Sequence, residues 1–452
     1  MAGPTSLPAV LVAALLAQGA NPGDRPAPAP AEVEAGLRAE VDRLTAAAAS
    51  VRHLPFRGPL PIRRVDADTL RDDLTALLAG DSGSSGPTLE SPFLRRLGLI
   101  PRATSFTRLH TDRYASARIP TYDPQGKRLV VPELVPLGEL KPALPHAIAH
   151  ALADGRFGFR RTLQIGADGH HRLSGDAERA RLALIEGDAT LTELELSDPR
   201  ETFLAPRALQ ALVGRARQGT TDGDESSWLT ALGQFTHIDG LLFVARVRAR
   251  QTWRAVDRLW DDPPASTEQV LHPERYEACD EPLPIDEAAL PSVAGYGRPM
   301  ATAVLGELVI RSWLAETLPP EIAERAAAGW GGDRAALYGP SSTDEPGRSA
   351  PDGGAEPDGL EPPLVWLTVW DDASEAEDFV RAAAASGVGA LARRDDAVAV
   401  VLGEVDDAPA VLTRTLDGWR HPPAASRRRP GVRPPRAARP DCPRRDRAAA
   451  PR

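Results

Sequence analysis

His146-Ala147-Ile148-Ala149-His150 places two histidines four residues apart inside a run of small apolar residues. Pro145 precedes the first histidine, and proline is tolerated in the first turn of a helix, so this pentapeptide is predicted to be helical. Residues four apart share one face of a helix, and both imidazoles can therefore reach one metal ion. A histidine pair at this spacing is weak evidence by itself, because most such pairs are structural.

A carboxylate that can complete a metal site follows on the second long predicted helix, which has Asp176 as its N-cap and runs to about Leu196. Glu186 lies on this helix, 36 residues after His150, and a gap of that length permits an antiparallel return. Gly187 would let the two helices approach closely. Two histidines and one carboxylate leave the fourth position of a zinc ion open to water. Without the histidine pair, Glu186 would be interpreted as an ordinary solvated helix residue.

Zinc hydrolases with an H-E-x-x-H helix carry a glutamate directly after the first histidine, and in this chain that position holds Ala147. The glutamate is the general base that takes a proton from zinc-bound water, and a methyl group cannot accept a proton. Loss of a positioned general base typically costs about 10²–10⁴ in rate. The pattern therefore predicts a site that keeps its metal ligands and lacks its base.

Two other carboxylates on the helix of Glu186 are poor replacements for that base. Asp188 lies two residues further on, so its side chain points away from Glu186, and we expect it to orient a ligand histidine or cap a neighbouring backbone. Glu178 lies about two turns earlier and is expected to be solvated. His237 is predicted to be a helix-entry residue and not a ligand.

Beyond these residues the chain resembles a family of zincin-like metallopeptidases of the gluzincin type, which carry an H-E-x-T-H-A-L-x-D helix and an E-G-D-A helix. The string STEQVLHP at 266–273 is the most specific part of the resemblance. Ala147 and Ala149 depart from the family pattern, which has glutamate and usually threonine at these positions. The resemblance is carried by five stretches: 122–131 (YDPQGKRLVV), 146–159 (HAIAHALADGRFGF), 176–191 (DAERARLALIEGDATL), 261–276 (DDPPASTEQVLHPERY) and 329–338 (GWGGDRAALY), the last followed by residues 365–370.

The resemblance implies a zinc ion held by His146, His150 and Glu186. It also implies a side chain that stabilises the tetrahedral oxyanion, for which His272 and Tyr276 are the candidates. The binding partner that the resemblance implies is a peptide or a protein. The hairpin in the first matching stretch can supply an edge strand on which an extended peptide lies.

The resemblance and the periodicity together predict an α+β fold. It is a mainly helical zincin-like metallopeptidase fold with a small edge sheet and a C-terminal ββαββ-like unit. Because Ala147 replaces the base, the first hypothesis for function is a degenerate metallopeptidase, a pseudopeptidase that acts by binding a peptide or partner. The alternatives are a zinc-dependent metallopeptidase of low activity with a substitute base, and a metal-free structural extracytoplasmic protein.

Changes in composition divide the chain into segments with different expected roles. They are a possible signal peptide at 1–20, a Pro-rich spacer at 21–30, a zincin-like domain at 31–333, a small α/β unit at 334–417 that packs on it and contains a disordered insert at 341–363, and an Arg/Pro-rich disordered tail at 418–452.

Charge and hydropathy limit the partners and the location of the protein. The formal net charge is −10 although the tail contains eleven arginines, and an acidic body does not indicate a nucleic-acid binder. The apolar run at 7–17 has the length of a signal-peptide core, but no lysine or arginine precedes it. We expect an extracytoplasmic protein, periplasmic or secreted, with a cytoplasmic one as the alternative. No segment of the sequence is long and apolar enough to predict a transmembrane helix.

Overall fold

The computed structural model describes residues 30–80, 87–133, 135–197, 205–218, 226–339 and 362–421. The predicted signal peptide, nearly all of the Pro-rich spacer, most of the insert at 341–363 and the tail beyond residue 421 lie outside these ranges. The described chain is α+β, as predicted, with a large helical body and two small sheets. None of the described helices has the length and the apolar character needed to cross a membrane.

The helical body is formed by the first two thirds of the chain. Its helices are α1 (Pro30–Arg52), α2 (Ala67–Gly80), α3 (Pro87–Arg96), α4 (Phe106–Ala117), α5 (Leu137–Leu140), α6 (Leu144–Phe157), α7 (Phe159–Thr162), α8 (Gly175–Ser197), α9 (Pro206–Gln218), α10 (Ser227–Gly233), α11 (Gly240–Arg250), α12 (Trp253–Asp261), α13 (Thr267–Leu271) and α14 (Pro273–Glu277). A π-helical segment, Gln234–Asp239, joins α10 to α11. The backbone stays in the right-handed helical region at both junctions, so residues 227–250 form one helix.

The first sheet has three strands and lies beside α6. It contains β1 (Ile62–Val65), β2 (Thr121–Asp123) and β3 (Arg128–Pro132) in the order β1-β3-β2. The hairpin between β2 and β3 lies in the 122–131 stretch, where it was predicted, with Asp123 opposite Arg128. The carboxylate of Asp123 accepts hydrogen bonds from the backbone N–H groups of Gln125 and Gly126, which closes the turn. The other edge of β3 pairs with β1 in parallel. Strand β3 is therefore central, and β2 is an edge strand.

The second sheet has five antiparallel strands. They are β4 (Ala301–Ala303), β5 (Trp330–Leu337), β6 (Leu364–Trp370), β7 (Ala390–Arg394) and β8 (Ala397–Leu402), in the order β4-β5-β6-β8-β7. The helices of this region are α15 (Gly306–Ala315), α16 (Pro320–Ala327), α17 (Ala373–Ala385) and α18 (Ala408–Gly418). The predicted chain order of strand, strand, helix, strand, strand is present as β5, β6, α17, β7 and β8.

Both faces of this sheet are buried, and β6 shows it most clearly. Trp366 and Trp370 belong to the large apolar core that also contains Leu144 of α6 and Leu184 of α8. The alternate residues Val365 and Leu367 face a second core, to which α18 contributes its own apolar side chains. A strand buried on both faces is expected to be apolar throughout, which accounts for the sequence LVWLTVW. The sheet therefore packs on the helical body through one face.

Three boundaries follow from local backbone and packing. Residues 240–261 do not form one helix, because the extended backbone of Gln251 separates α11 from α12. Helix α15 begins only at Gly306, because residues 301–303 pair with β5 as an edge strand. The tail predicted from residue 418 starts later, since Trp419 is packed in the second core.

Candidate metal centre

Helix α6 carries the histidine pair with both side chains directed at one point. Nε2 of His150 lies 3.0 Å from Nε2 of His146, and the two rings are nearly perpendicular, at 82°. Their side chains are only 9% and 12% exposed. The residues between them, among them Ala147 at 1% exposure, pack into the core and hold this helix in place.

Helix α8 brings Glu186 to the same point. Its Oε2 atom lies 3.1 Å from Nε2 of His146 and 3.2 Å from Nε2 of His150. The donor atoms of a tetrahedral zinc site are about 3.3 Å apart when the metal–ligand bonds are 2.0–2.1 Å long, so these separations are close to those of a metal site. The structure thus brings together all three residues that the sequence predicted as ligands.

His237 also contacts this cluster, and it lies inside the continuous 227–250 helix, not at the helix entry that the sequence predicted. Its Nε2 atom lies 3.2 Å from Oε2 of Glu186, and its ring stacks on that of His146 with the centroids 5.7 Å apart. His146, Glu186 and His237 together offer ligand atoms close enough to hold a metal ion. No spacing in the sequence connects His237 to the histidine pair, because the contact depends on how the 227–250 helix packs.

Two glycines position this helix against α8. A Cβ atom at Gly187 would lie within 3.0 Å of the backbone of Gly240, and one at Gly240 would lie equally close to the carbonyl oxygen of Ala183. Real Cβ atoms do not approach backbone atoms so closely. The close approach expected at Gly187 is therefore present, but the neighbouring helix is the one that carries His237 and not the helix of the histidine pair.

Glu193 contacts the opposite edge of the His146 ring. Its Oε2 atom lies 3.3 Å from Nδ1 of His146, while Nε2 of that ring faces Glu186. Metal-binding histidines commonly place their second nitrogen against a carboxylate, which orients the ring and raises its basicity. The sequence contained a usable signal for this residue, because positions 186 and 193 are seven apart and share one helix face.

Burial and the packed charges shift the protonation of the cluster. Burial opposes the ionisation of Glu186, but the charges of His150 and His237 and the contacts with the α6 histidines hold the pKa of its carboxyl well below the usual range. Burial lowers the pKa of His237 to about 4. For His146 burial acts in the same direction, yet the contacts with Glu186 and Glu193 outweigh it and raise the pKa to about 10. A bound cation would therefore compete with a proton at His146.

Asp188 does not orient a ligand histidine, in contrast to our expectation. Its two oxygens accept hydrogen bonds from Nε and Nη2 of Arg52, at 2.8 and 2.7 Å. The indole N–H of Trp260 donates to the same carboxylate at 2.8 Å. Arg52 also contacts Asp257, so this buried ion pair ties α1 and α12 to α8. The residue that contacts a histidine of the cluster is instead Glu193.

Three other side chains of the matching stretches are engaged outside the cluster. Nε2 of His272 lies 2.8 Å from Oε1 of Glu307, and the hydroxyl of Tyr276 donates to the carbonyl of Asp262 at 2.7 Å. These contacts use the groups that were candidates for stabilising an oxyanion. Glu178, predicted to be solvated, is buried and lies 2.9 Å from Nδ1 of His171.

Asp154 links the 122–131 hairpin to the end of α6. Its carboxylate accepts from the hydroxyl of Tyr122 at 2.8 Å and from the backbone N–H of Phe159 at 2.7 Å, and it pairs with Lys127. The hairpin of β2 and β3 is thereby fastened to the end of α6. Phe159 in turn packs edge-on against His150, with the ring centroids 5.8 Å apart.

The donor set fits a transition-metal ion. The group His146, Glu186 and His237 offers two imidazole nitrogens and one carboxylate oxygen close enough to share one ion. This combination suits zinc, copper, iron or nickel. The ring of His237 is held with Nδ1 facing the carbonyl of Gly233 at 3.2 Å, which leaves Nε2 for the cluster. In the same way, the contact of Nδ1 of His146 with Glu193 leaves Nε2 of His146 for the cluster. The arrangement can bind a cation, while nothing in the donor atoms singles out one metal.

The comparisons with known proteins concern a different part of the chain. A family model described as a domain of unknown function (DUF8575) matches residues 294–418. This range contains the second sheet and its four helices, and it contains none of the four cluster residues. No curated protein matches the chain, and no solved structure matches it.

Proposed function

We propose that this protein is a zincin-like pseudopeptidase that binds one zinc ion through His146, His150 and Glu186 and does not hydrolyse peptides efficiently. The observation that carries the proposal is the convergence of these three ligand atoms within 3.0–3.2 Å of one another, on a helix where Ala147 replaces the base. The resemblance of the sequence to gluzincins agrees with this assignment of the ligands.

The proposed lack of efficient peptide hydrolysis follows from the side chains around the cluster. Bound zinc would polarise a water or a carbonyl group, but hydrolysis also needs a group that takes the proton from water. The methyl group of Ala147 cannot accept this proton, and the residue is buried in the core. Of the two carboxylates that contact the imidazoles, Glu186 is a ligand and Glu193 faces the far edge of His146.

A protein of this kind acts by binding. Strand β2 is at the edge of its sheet, and Tyr122 on this strand is bonded to Asp154 at the end of α6. An extended peptide that paired with β2 would therefore lie beside the helix of the histidine pair. We accordingly propose a peptide or protein segment as the partner. The proposed extracytoplasmic location depends on residues 1–20 and stays a prediction.

Metal analysis of the purified full-length chain tests the proposal. We expect about one equivalent of zinc in the wild type, loss of this zinc in His146→Ala, and retention in His272→Ala, the matched histidine outside the cluster. We also expect that zinc-loaded wild type cleaves peptides no faster than His146→Ala.

Two outcomes contradict the proposal. Less than about 0.1 equivalent of zinc in the wild type, unchanged in His146→Ala, would favour the metal-free structural alternative. Zinc-dependent peptide cleavage that disappears in His146→Ala would favour an active peptidase with a substitute base.

A further inference from the structure

Helix α4 carries a row of three aromatic rings along one face. Phe106, His110 and Tyr114 follow one another at four-residue intervals, so their side chains lie on the same side of the helix. The ring centroids of Phe106 and His110 are 5.4 Å apart, and those of His110 and Tyr114 are 4.6 Å apart. Phe106 belongs to the large apolar core, whereas the other two residues are only half-buried. The row therefore runs from the core to a surface that solvent reaches.

The polar end of this row lies near the metal centre. Burial is the largest influence on both polar side chains, since it lowers the pKa of His110 to about 4 and raises the pKa of Tyr114 above its usual value. The charges of Glu186 and Arg113 also act on both groups, so both lie within electrostatic range of the carboxylate at the centre of the cluster. Because solvent still reaches side chains that protein otherwise encloses, they line a recess beside Glu186.

The polar atoms of these two side chains are not used by the protein itself. Within the part of the chain that the structure describes, the ring of His110 contacts its two aromatic neighbours, and neither its nitrogens nor the hydroxyl of Tyr114 makes a hydrogen bond. Enclosed polar groups normally have a hydrogen-bond partner, and each exception needs an explanation. A molecule bound in the recess would supply the missing partners.

Helix α4 also leads directly into the edge strand on which the proposed peptide lies. Only residues 118–120 separate the end of α4 from β2. Arg118 ends the helix in the left-handed conformation, with φ at 51°, and so turns the chain out of the helical direction. A peptide that paired with β2 would therefore pass beside the end of α4 that carries Tyr114.

We propose that His110 and Tyr114 are ligand-binding residues that hydrogen-bond a backbone amide group of the bound peptide where it passes the metal centre. This inference rests on the proposed function and adds the side chains that hold the peptide. A neutral imidazole and a phenol can each donate and accept a hydrogen bond, which suits an uncharged amide better than a carboxylate or a phosphate. The rings of the row offer an aromatic side chain of the peptide a surface for stacking.

Benzohydroxamic acid is a suitable probe, because it joins a zinc-binding hydroxamate to an amide N–H and an aromatic ring. Calorimetry on the zinc-loaded full-length chain measures its affinity. We expect Tyr114→Phe and His110→Phe, which remove the polar atoms and keep a ring, each to weaken binding by about 3–10-fold. Their zinc content should be unchanged, since neither residue is a metal ligand. Tyr296→Phe and His170→Phe are the matched controls, because Tyr296 contacts Glu404 and His170 is exposed, and both should bind as the wild type does.

The results separate this inference from the proposed function. Affinities of both variants within about twofold of the wild type, at full zinc content, would overturn the role of His110 and Tyr114 and leave the zinc site intact. A zinc-loaded wild type that does not bind the probe at about 5 mM would have the same meaning. Absence of zinc from the wild type would overturn the proposed function and this inference with it. If a variant does not fold, NMR of the wild type decides, because the ring signals of His110 should shift when the probe binds, and unchanged signals would contradict the contact.

Discussion

Glu193 and Glu178 are both buried carboxylates of α8, and each faces a histidine, but only one of these histidines belongs to the cluster. Glu193 contacts His146 at 3.3 Å, and Glu178 contacts His171 at 2.9 Å. The difference makes the two residues a matched pair for testing how the ring of His146 is held.

We expect Glu193→Gln to lower the zinc affinity by about 10–100-fold, because the charge that orients the ligand ring and raises its basicity is lost. Glu178→Gln should leave the affinity unchanged. Competition with a chelator of known affinity measures both values. An equal affinity of the two variants would show that Glu193 has no role in metal binding.

Asp188 belongs to a buried ion pair and does not orient a metal ligand. A substitution of Asp188 should therefore change the stability of the protein more than its metal binding. Its partner Arg52 is 1% exposed, and removal of one member of a buried ion pair costs about 3–5 kcal/mol. We therefore expect Asp188→Asn to lower the free energy of unfolding by a few kcal/mol in urea titrations of the metal-free protein, while the folded variant still binds one zinc. Lower zinc affinity at unchanged stability would restore the role predicted from the sequence.

At the residue level, the contacts that depend on local spacing along the chain were predictable from the sequence. His146 and His150 are four apart on one helix, and Glu186 follows on the next long helix, so their convergence needs only two correctly assigned helices. Asp188 and His237 were assigned wrongly, because their partners, Arg52 and Glu186, are distant in the sequence and become neighbours only through packing.

At the level of elements, the contact between α8 and the 227–250 helix is the determinant of the site. The backbones approach at Gly187 and Gly240, and neither position has room for a side chain. The sequence indicated a close approach at Gly187 but not its partner. His237 was predicted to lie at a helix entry, because a π-helical segment gives no periodic signal of its own.

We expect Gly187→Ala to destabilise the protein by several kcal/mol, since the added methyl group meets backbone that can move only by separating the two helices. Separation would also move His237 away from Glu186 and weaken metal binding. Gly214→Ala on α9 is the control, because a Cβ atom there meets nothing within 4 Å and alanine is the better helix former by about 1 kcal/mol. Thermal unfolding and zinc competition measure both effects. A neutral Gly187→Ala would mean that the helices do not depend on this contact.

For the molecule as a whole, one apolar core connects the site to the second sheet. It contains Leu144 of α6, Leu184 of α8 and Trp366 of β6. Asp333 on β5 strengthens the junction, because its oxygens accept from the backbone N–H groups of Leu305 and Gly306, both at 2.9 Å. The chain order of β5, β6, α17, β7 and β8 and the packing of this unit on the helical body were predicted, whereas the residues of the shared core were not, since they depend on contacts between distant parts of the chain.

Metal binding should therefore stabilise the sheet together with the helical body. An ion that binds only the folded state adds about 4 kcal/mol of stability at 1,000 times its dissociation constant. We expect zinc to raise the unfolding temperature equally when it is followed by far-UV circular dichroism and by tryptophan fluorescence, to which the buried Trp366 and Trp370 contribute. His146→Ala should show no such shift. Two separate transitions, of which zinc moves only one, would show that the sheet folds independently of the body and that the shared core does not couple them.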